Sequence, residues 1–184
     1  MVKSWIKYLR TSGCDSSYRF NCVQRTYKYF FPRGDLNLSL MNEAGELLLG
    51  SHDFRNFCKM DVAHGVVNYT RNLTLVQAVP LDKSDQEPTP YQMCELTVRG
   101  KAFLWHQIRC IVSVLFRIGA GKESPEVIKD LLDVEANPRR PQYTMASEIP
   151  LNLFHVDFDQ NVEWVYDQEA LANSIRQYQV GGKF

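Results

Sequence analysis

Arg109 lies within the apolar helical pattern of residues 99–116, at a position where hydrophobicity alone would not place a charge. A guanidinium does not lose its proton in a protein, so a partly buried one requires an anionic partner. That partner is either a phosphate or a carboxylate. The alternative is that Arg109 reaches solvent from a buried helix or joins a surface ion pair. His106, three residues earlier, is by itself more typical of a hydrogen-bonded structural histidine.

A second set of chemically capable side chains lies on a predicted strand over residues 17–31, which alternates and is rich in aromatic residues. Arg25, Tyr27 and Tyr29 project from the same face of that strand. Such a face could stack on a planar base and contact a phosphate. An ordinary cross-strand aromatic cluster would give the same pattern.

The third candidate is the segment from Gly50 to Lys59, which mixes aromatic residues with Arg55 and Lys59 and is predicted to be a loop. This composition suits a loop that faces nucleic acid. The alternative is a helix start capped by Asp53, and the two interpretations are compatible.

The elements that must position these residues alternate between strands and helices. Strands are predicted at 69–80 and 91–99, helices at 35–49 and 103–118, and a terminal helix at 167–179. Residues 151–158 and 162–166 are predicted to form a closing β-hairpin. The pattern indicates an α+β domain with a mixed or antiparallel sheet and helices packed on one face.

Composition narrows the class of protein. The chain of 184 residues is 45% hydrophobic and carries 21 basic and 21 acidic side chains, so dominant disorder and a globally basic nucleic-acid binder are both disfavoured. Five cysteines without a C-x-x-C pair and four histidines predict no metal site, and reduced thiols indicate the cytoplasm or nucleus. The sequence contains neither an apolar run of about 18 residues nor a signal peptide, so no membrane association is expected.

Together these segments resemble the TruA-type tRNA pseudouridine synthases, and most closely a eukaryotic branch of that family. The resemblance runs from about residue 18 to about residue 170. It rests on the motifs RTYKYFFP (25–32), HDFRNFCKMD (52–61), FLWHQIR (103–109), NPRRPQY (137–143) and EWVYDQ (163–168).

The resemblance implies a mechanism without a cofactor. In the family an aspartate attacks the target uridine, the glycosidic bond breaks, and the base rejoins the sugar through carbon, after the nucleotide has been flipped out of its stack. Tyr27 corresponds to the tyrosine that stacks on the target base, and it could also donate a hydrogen bond or shuttle a proton. Arg109 corresponds to the arginine that pairs with the catalytic aspartate and keeps it ionised.

The branch further implies uridines just 3′ of the anticodon, at positions 38 and 39 of tRNA, as the target. The anticodon stem-loop would be bound by Arg25, Tyr29, Arg55, Lys59 and His106. A homodimer is one assembly that the family suggests.

One feature departs from the family, because this sequence has no R-T-D-x-G-V motif to supply the aspartate. Arg10-Thr-Ser-Gly resembles it only by chance, and Asp15 and Asp53 belong to other elements. We therefore expect residues 18–170 to be the C-terminal part of a synthase catalytic domain. Residues 1–17 would be a lead-in and 171–184 a tail, and this part would form one half of a two-halved fold and be inactive alone. The alternative is a non-catalytic RNA-binding module with the same fold.

Overall fold

The computed structural model describes residues 9–11, 22–59, 68–82, 89–158, 164–166, 172 and 176. The chain divides into two compact units, one formed by Arg25–His155 and the other by Met1–Gln24 together with Val156–Phe184. The elements, in chain order, are β1 (Leu9–Thr11), β2 (Cys22–Pro32), α1 (Leu38–Glu46), β3 (Gly50–Asp53), β4 (Thr70–Pro80), β5 (Met93–Gly100), α2 (Gln107–Gly119), α3 (Val127–Leu132), β6 (Leu151–Phe158) and β7 (Trp164–Tyr166), with a short 3₁₀ turn at Arg55–Phe57.

Five of the described strands form a sheet with the order β3-β4-β5-β2-β6. The pairs β3–β4, β4–β5 and β5–β2 are antiparallel, and in the last of these Tyr27 lies opposite Val98 and Tyr29 opposite Leu96. The predicted α+β class with helices on one face of an antiparallel sheet is confirmed.

One face of this sheet carries the core because alternate residues of each strand point to it. Tyr29, Phe31, Leu96 and Val98 are buried there, in one hydrophobic cluster with the apolar stripes of α1 and α2. Close contact between the two helices depends on Gly119, where an added Cβ would lie 2.8 Å from the Met41 side chain. The helices therefore form a tight second layer over the face that bears Tyr27, Tyr29 and Phe31.

Both of the longer helices are shorter than the sequence predicted. α1 begins after Asn37, whose Oδ1 accepts hydrogen bonds from the backbone N–H groups of Ser39 and Leu40. α2 begins at Gln107 rather than at residue 103, because His106 adopts the left-handed backbone conformation with φ of 59°. Gln107 accepts a hydrogen bond from the backbone of Leu104 through its side chain, so the preceding residues form a loop.

Two predictions about strands were wrong. The segment after residue 50 is not only a loop, because Gly50–Asp53 form β3 and pair with β4. The predicted closing hairpin does not form, because β6 joins β2 in the large sheet whereas β7 pairs with β1. Of the predicted terminal helix, residues 172 and 176 are described and are helical, and the remainder lies outside the described residues. Within the described part of the chain, no helix is long and apolar enough to cross a membrane.

Candidate active site

Arg109 lies in the first turns of α2 with its side chain only 15% exposed. Its Nε donates a hydrogen bond to the Ala146 carbonyl oxygen at 2.7 Å, and its Nη1 donates to Glu148 Oε2 at 2.6 Å. The anionic partner of Arg109 is therefore a carboxylate, an outcome that both the carboxylate prediction and the ion-pair alternative allow. It is a glutamate from a distant loop.

The segment that supplies Glu148 runs alongside α2 and is tied to it at several points. The backbone N–H of Ala146 donates back to the Arg109 carbonyl oxygen, and the Ser113 hydroxyl donates to the Thr144 carbonyl oxygen. Because Thr144 and Ala146 take part through their backbone atoms, the path of residues 144–146 positions the carbonyl oxygen that binds the Arg109 guanidinium.

Tyr27 is half-buried on β2 and faces the helix layer, with its ring edge-on to Phe103 at a centroid distance of 5.1 Å. This contact requires Gly100, where an added Cβ would lie 2.7 Å from the Asn72 carbonyl oxygen and 3.2 Å from the Phe103 ring. Tyr27 therefore lies on the same side of the sheet as α2 and Arg109, and Phe103 belongs to the loop that leads into that helix.

Tyr29 was predicted to contact RNA, but the structure places it in the core at 4% exposure, with its ring packed edge-on to Phe116. Burial raises the pKa of its hydroxyl, an effect that the charge of Arg109 partly offsets. A ring covered in this way has no face available for stacking on a base. Tyr29 is therefore a core residue whose aromatic partner belongs to helix α2, whereas its neighbour on the adjacent strand is Leu96.

Arg25 and Arg55, both predicted to bind RNA, have partners within the protein. Arg25 Nη1 donates to the Lys101 carbonyl oxygen at 2.6 Å. The Arg55 guanidinium donates hydrogen bonds to both carboxylate oxygens of Asp53. Asp53 also accepts a hydrogen bond from the backbone N–H of Arg55 at 2.9 Å. Burial acts to raise the pKa of Asp53, but these bonds lower it overall. Asp53 thus neutralises Arg55 from the end of β3, whereas the N-cap residue of the 3₁₀ turn is Phe54, not Asp53 as the capping alternative predicted.

Lys59, Trp105 and His106 form an aromatic–cation cluster at the start of α2. The Trp105 and His106 rings stack at 4.3 Å, and the Lys59 ammonium lies 5.2 Å from the centre of the Trp105 ring. Trp105 is 49% exposed, which is high for a tryptophan. An exposed indole beside a lysine is an arrangement that suits base stacking and phosphate contact. Trp105 is not one of the predicted site residues, although it lies within the FLWHQIR motif.

The backbone conformation of His106 is unusual, and the surroundings of its ring lower its pKa. A left-handed conformation at a residue other than glycine costs free energy and is concentrated at functional sites. Its Nδ1 is buried, with no hydrogen-bond partner among the described residues. Burial lowers the pKa of His106, and the positive charges of Arg109, Lys59 and Arg140 lower it further. The negative charge of Glu148 raises this pKa, but by less. The ring is therefore neutral at pH 7.

Arg140 and Tyr143 connect the loop before Glu148 to the Arg55–Phe57 turn. The Arg140 guanidinium lies 4.4 Å from the centre of the Tyr143 ring and donates to the Cys58 carbonyl oxygen. The Tyr143 hydroxyl donates to the Asn56 carbonyl oxygen at 2.9 Å. These contacts bring together the NPRRPQY and HDFRNFCKMD motifs, which are far apart in the sequence.

The neighbouring thiols are poor candidates for nucleophiles. Burial raises the pKa of Cys58 to about 11 and also raises the pKa of Cys110. A thiol with such a pKa stays protonated near neutrality and reacts slowly. No group of three or more histidine, cysteine, aspartate or glutamate side chains in the described part of the chain could hold a metal ion. Ser12 and Asp15 lie outside the described residues.

An open cavity of about 420 Å³ adjoins this site, between the later turns of α2 and the segment at 143–147. Tyr29 and Ala146 line it, whereas Tyr27, His106 and Arg109 do not. The side chains that carry the predicted chemistry therefore lie beside this cavity and do not line it.

Residues 44–159 match the sequence model of a family described as tRNA pseudouridine synthase, which is more than half of the chain. His106, Arg109 and Glu148 lie inside the matched range, and Tyr27 lies before it. The chain is 49% identical over 166 residues to the tRNA pseudouridine(38/39) synthase of Homo sapiens, covering 89% of this chain and 34% of that protein.

Two further relatives widen the range of organisms. The tRNA pseudouridine(38/39) synthase of Saccharomyces cerevisiae is 39% identical over 146 residues, covering 79% of this chain and 31% of that protein. The tRNA pseudouridine synthase A of Methanosarcina acetivorans is 30% identical over 159 residues, covering 86% and 54%. This chain therefore spans about a third of the length of the human and yeast relatives.

Proposed function

This chain belongs to the tRNA pseudouridine synthase family, and from that premise we propose that it forms part of an enzyme that isomerises uridine to pseudouridine in tRNA. Membership confirms the family that the motifs predicted. The observation that carries the proposal is Arg109, a cation that is 15% exposed and held in place between a backbone carbonyl and a carboxylate. A fixed cation of this kind lowers the pKa of a neighbouring carboxyl group and orients it.

In the proposed reaction Arg109 pairs with a nucleophilic aspartate. That carboxylate attacks the target nucleotide and the glycosidic bond from the base nitrogen breaks. A new bond from the sugar to a ring carbon replaces it, the bond to the carboxylate breaks again, the ring carbon loses its proton and the ring nitrogen gains one. Product and substrate are isomers, so the reaction needs no net oxidant or reductant, and in this proposal no cofactor takes part. The aspartate comes from sequence outside this chain, and these 184 residues alone do not form pseudouridine.

Tyr27 stacks on the flipped base in this proposal. Its place on the α2 side of the sheet and its packing against Phe103 support that role, because a ring braced along one edge can present its face to a base without losing much conformational freedom. The hydroxyl then lies where it can donate a hydrogen bond or pass a proton.

The proposed target is the anticodon arm of tRNA, at positions 38 and 39, which the names of the human and yeast relatives specify for those proteins. RNA contacts come from Lys59, Trp105 and His106, with Arg25 beside Tyr27 on the same strand. Such contacts form without a basic net charge because a local cluster of cations is sufficient. We propose the cytoplasm or nucleus as the location, because the buried Cys58, Cys94 and Cys110 form no disulfide, and a homodimer as the assembly.

A chimera tests the activity. This chain replaces the matching third of the human relative, and tRNA incubated with the chimera is analysed for pseudouridine at positions 38 and 39. We expect the chimera to modify both positions and the 184-residue chain alone to modify neither. Pseudouridine formed by the chain alone would contradict the proposed origin of the nucleophile.

The non-catalytic alternative makes a different prediction in the same experiment. An RNA-binding module would bind an anticodon stem-loop as the isolated chain, and its chimera would bind tRNA without modifying it. Measuring stem-loop affinity alongside modification therefore separates the two functions.

A further inference from the structure

The two partners of the Arg109–Glu148 ion pair differ sharply in their surroundings. The Arg109 side chain is 15% exposed, whereas the Glu148 side chain is 75% exposed. Glu148 follows the exposed Ser147 and precedes Ile149, which is also exposed. The carboxylate therefore reaches Arg109 from the solvent side and can leave it without disturbing the core.

Arg109 keeps its place without Glu148. The Nε–H bond to the Ala146 carbonyl oxygen and the return bond from the Ala146 N–H both involve backbone atoms. The guanidinium is planar and presents further N–H donors in a fixed fork, which matches the two oxygens of a carboxylate. If Glu148 moved away, the fork would remain oriented and ready for another carboxylate.

We propose that Glu148 is a displaceable counter-ion, which holds the position at Arg109 that the carboxylate of an incoming acid takes over. An ion pair with one exposed partner contributes little stability, so exchange between two carboxylates costs little. Without such a counter-ion, a mostly buried guanidinium would be left uncompensated whenever the incoming acid was absent. This inference rests on the proposed function only for the identity of that acid, which is the nucleophilic aspartate.

Acetate is the appropriate probe, because it reproduces the carboxylate of an aspartate side chain. In the 184-residue chain labelled with ¹⁵N-arginine, the Arg109 Nε–Hε resonance is assigned by its loss in R109K. It is then followed during titration with sodium acetate at constant ionic strength. We expect E148Q to respond at about fivefold lower acetate concentration than the wild type, the upper end of what an exposed ion pair contributes.

E123Q is the matched control, because Glu123 pairs with Arg117 on the same helix at 3.0 Å and also carries one negative charge. E123Q should respond as the wild type does. Because the Glu148 side chain is exposed, E148Q should keep the near-ultraviolet circular dichroism spectrum of the wild type. Equal responses of wild type and E148Q, or no response in E148Q, would overturn the proposal.

A parallel titration with inorganic phosphate separates the two kinds of anion. A weaker response to phosphate than to acetate supports a position shaped for a carboxylate, whereas a stronger response would assign Arg109 to an RNA phosphate and overturn the inference. The assay contains no RNA, so an inactive chimera and a failed acetate titration remain separate results.

Discussion

At each end of α2 an arginine forms an ion pair with a glutamate, but the two pairs differ in burial and in the sequence distance between the partners. Near the N-terminal end, Arg109 is mostly buried and meets Glu148, which lies 39 residues away in sequence. Near the C-terminal end, Arg117 is exposed and meets Glu123, which lies six residues away. Only Arg109 also donates to the backbone carbonyl of a distant segment.

This difference separates an arginine that tertiary contacts hold in place from an arginine on the surface. An exposed local pair is screened by water, and holding its two long side chains together costs entropy, so it contributes little. The bond from Arg109 to the Ala146 backbone holds a guanidinium that is 15% exposed against a distant segment, so this cation acts in a less polar environment whether or not Glu148 is in place. An arginine within an apolar helical pattern thus indicates a candidate site only when tertiary contacts fix the position of its guanidinium.

The largest predicted effect is on catalysis. R109K in the chimera with the human relative should reduce pseudouridine formation by at least about 100-fold, because lysine keeps the charge but loses the planar fork that orients the carboxylate. R117K should leave the rate within about twofold of the unmodified chimera, since an exposed pair contributes little. Single-turnover rates on tRNA measure both variants, and similar losses in the two would remove the distinction between the helix ends.

The next effect is on stability. R109A should lower the free energy of unfolding by about 2 kcal/mol, because it removes charge-assisted hydrogen bonds to the loop at 146–148. R117A should lower it by less than about 0.5 kcal/mol. Urea unfolding of the isolated chain measures both. A larger loss in R117A than in R109A would mean that the loop is held by other contacts.

The aromatic cluster beside Arg109 extends the comparison to RNA binding. W105A should weaken binding of an anticodon stem-loop by about tenfold, the lower range for loss of one stacked base. Y91A is the control, because Tyr91 is exposed in the connection between β4 and β5, outside the cluster. Fluorescence anisotropy of labelled RNA gives both affinities, and a loss in Y91A equal to that in W105A would place the RNA elsewhere.

The smallest effect concerns pH. The pKa of His106 is lowered from 6.5 in the folded chain. As the pH falls through 6.5, the unfolded chain therefore binds more protons at this residue than the folded chain does. The contribution of neutral His106 to stability is therefore present above pH 6.5 and is lost below it. H106N, in which asparagine tolerates the left-handed backbone, should show a shallower fall in stability between about pH 7.5 and 5.5. Urea unfolding at both values tests this, and parallel curves for the two proteins would exclude His106 as the source.

The sequence predicted the elements with strong periodicity better than their ends or pairings. The strands at 70–80 and 93–100 and the helix that contains Arg109 follow from alternation and from an apolar stripe. The start of α2 at Gln107 did not follow, because a single left-handed residue, His106, ended the loop before it. The predicted hairpin at 151–166 failed because each strand found its partner elsewhere, and pairing depends on long-range contacts that no local pattern encodes.

The residues of the candidate site were likewise predicted only in part. Motif spacing selected Tyr27, His106 and Arg109, and it also selected Tyr29, which the structure buries at 4% exposure. A strand pattern reports that two side chains share a face, but it does not report how far the helix layer extends over that face. Glu148 was missed because a lone exposed glutamate in a loop carries no pattern of its own.

The sequence by itself determined the family, through the resemblance of its motifs, and the α+β class, through the periodicity of its elements. The fixed charge of a guanidinium also made an anionic partner of Arg109 the expectation. Only the tertiary structure decided that the anion in this chain is Glu148 and that Ala146 holds Arg109 in place. It also decided that Trp105 is exposed beside Lys59. The reason is that burial and long-range pairing depend on which distant segments pack together, and that is a property of the folded chain as a whole.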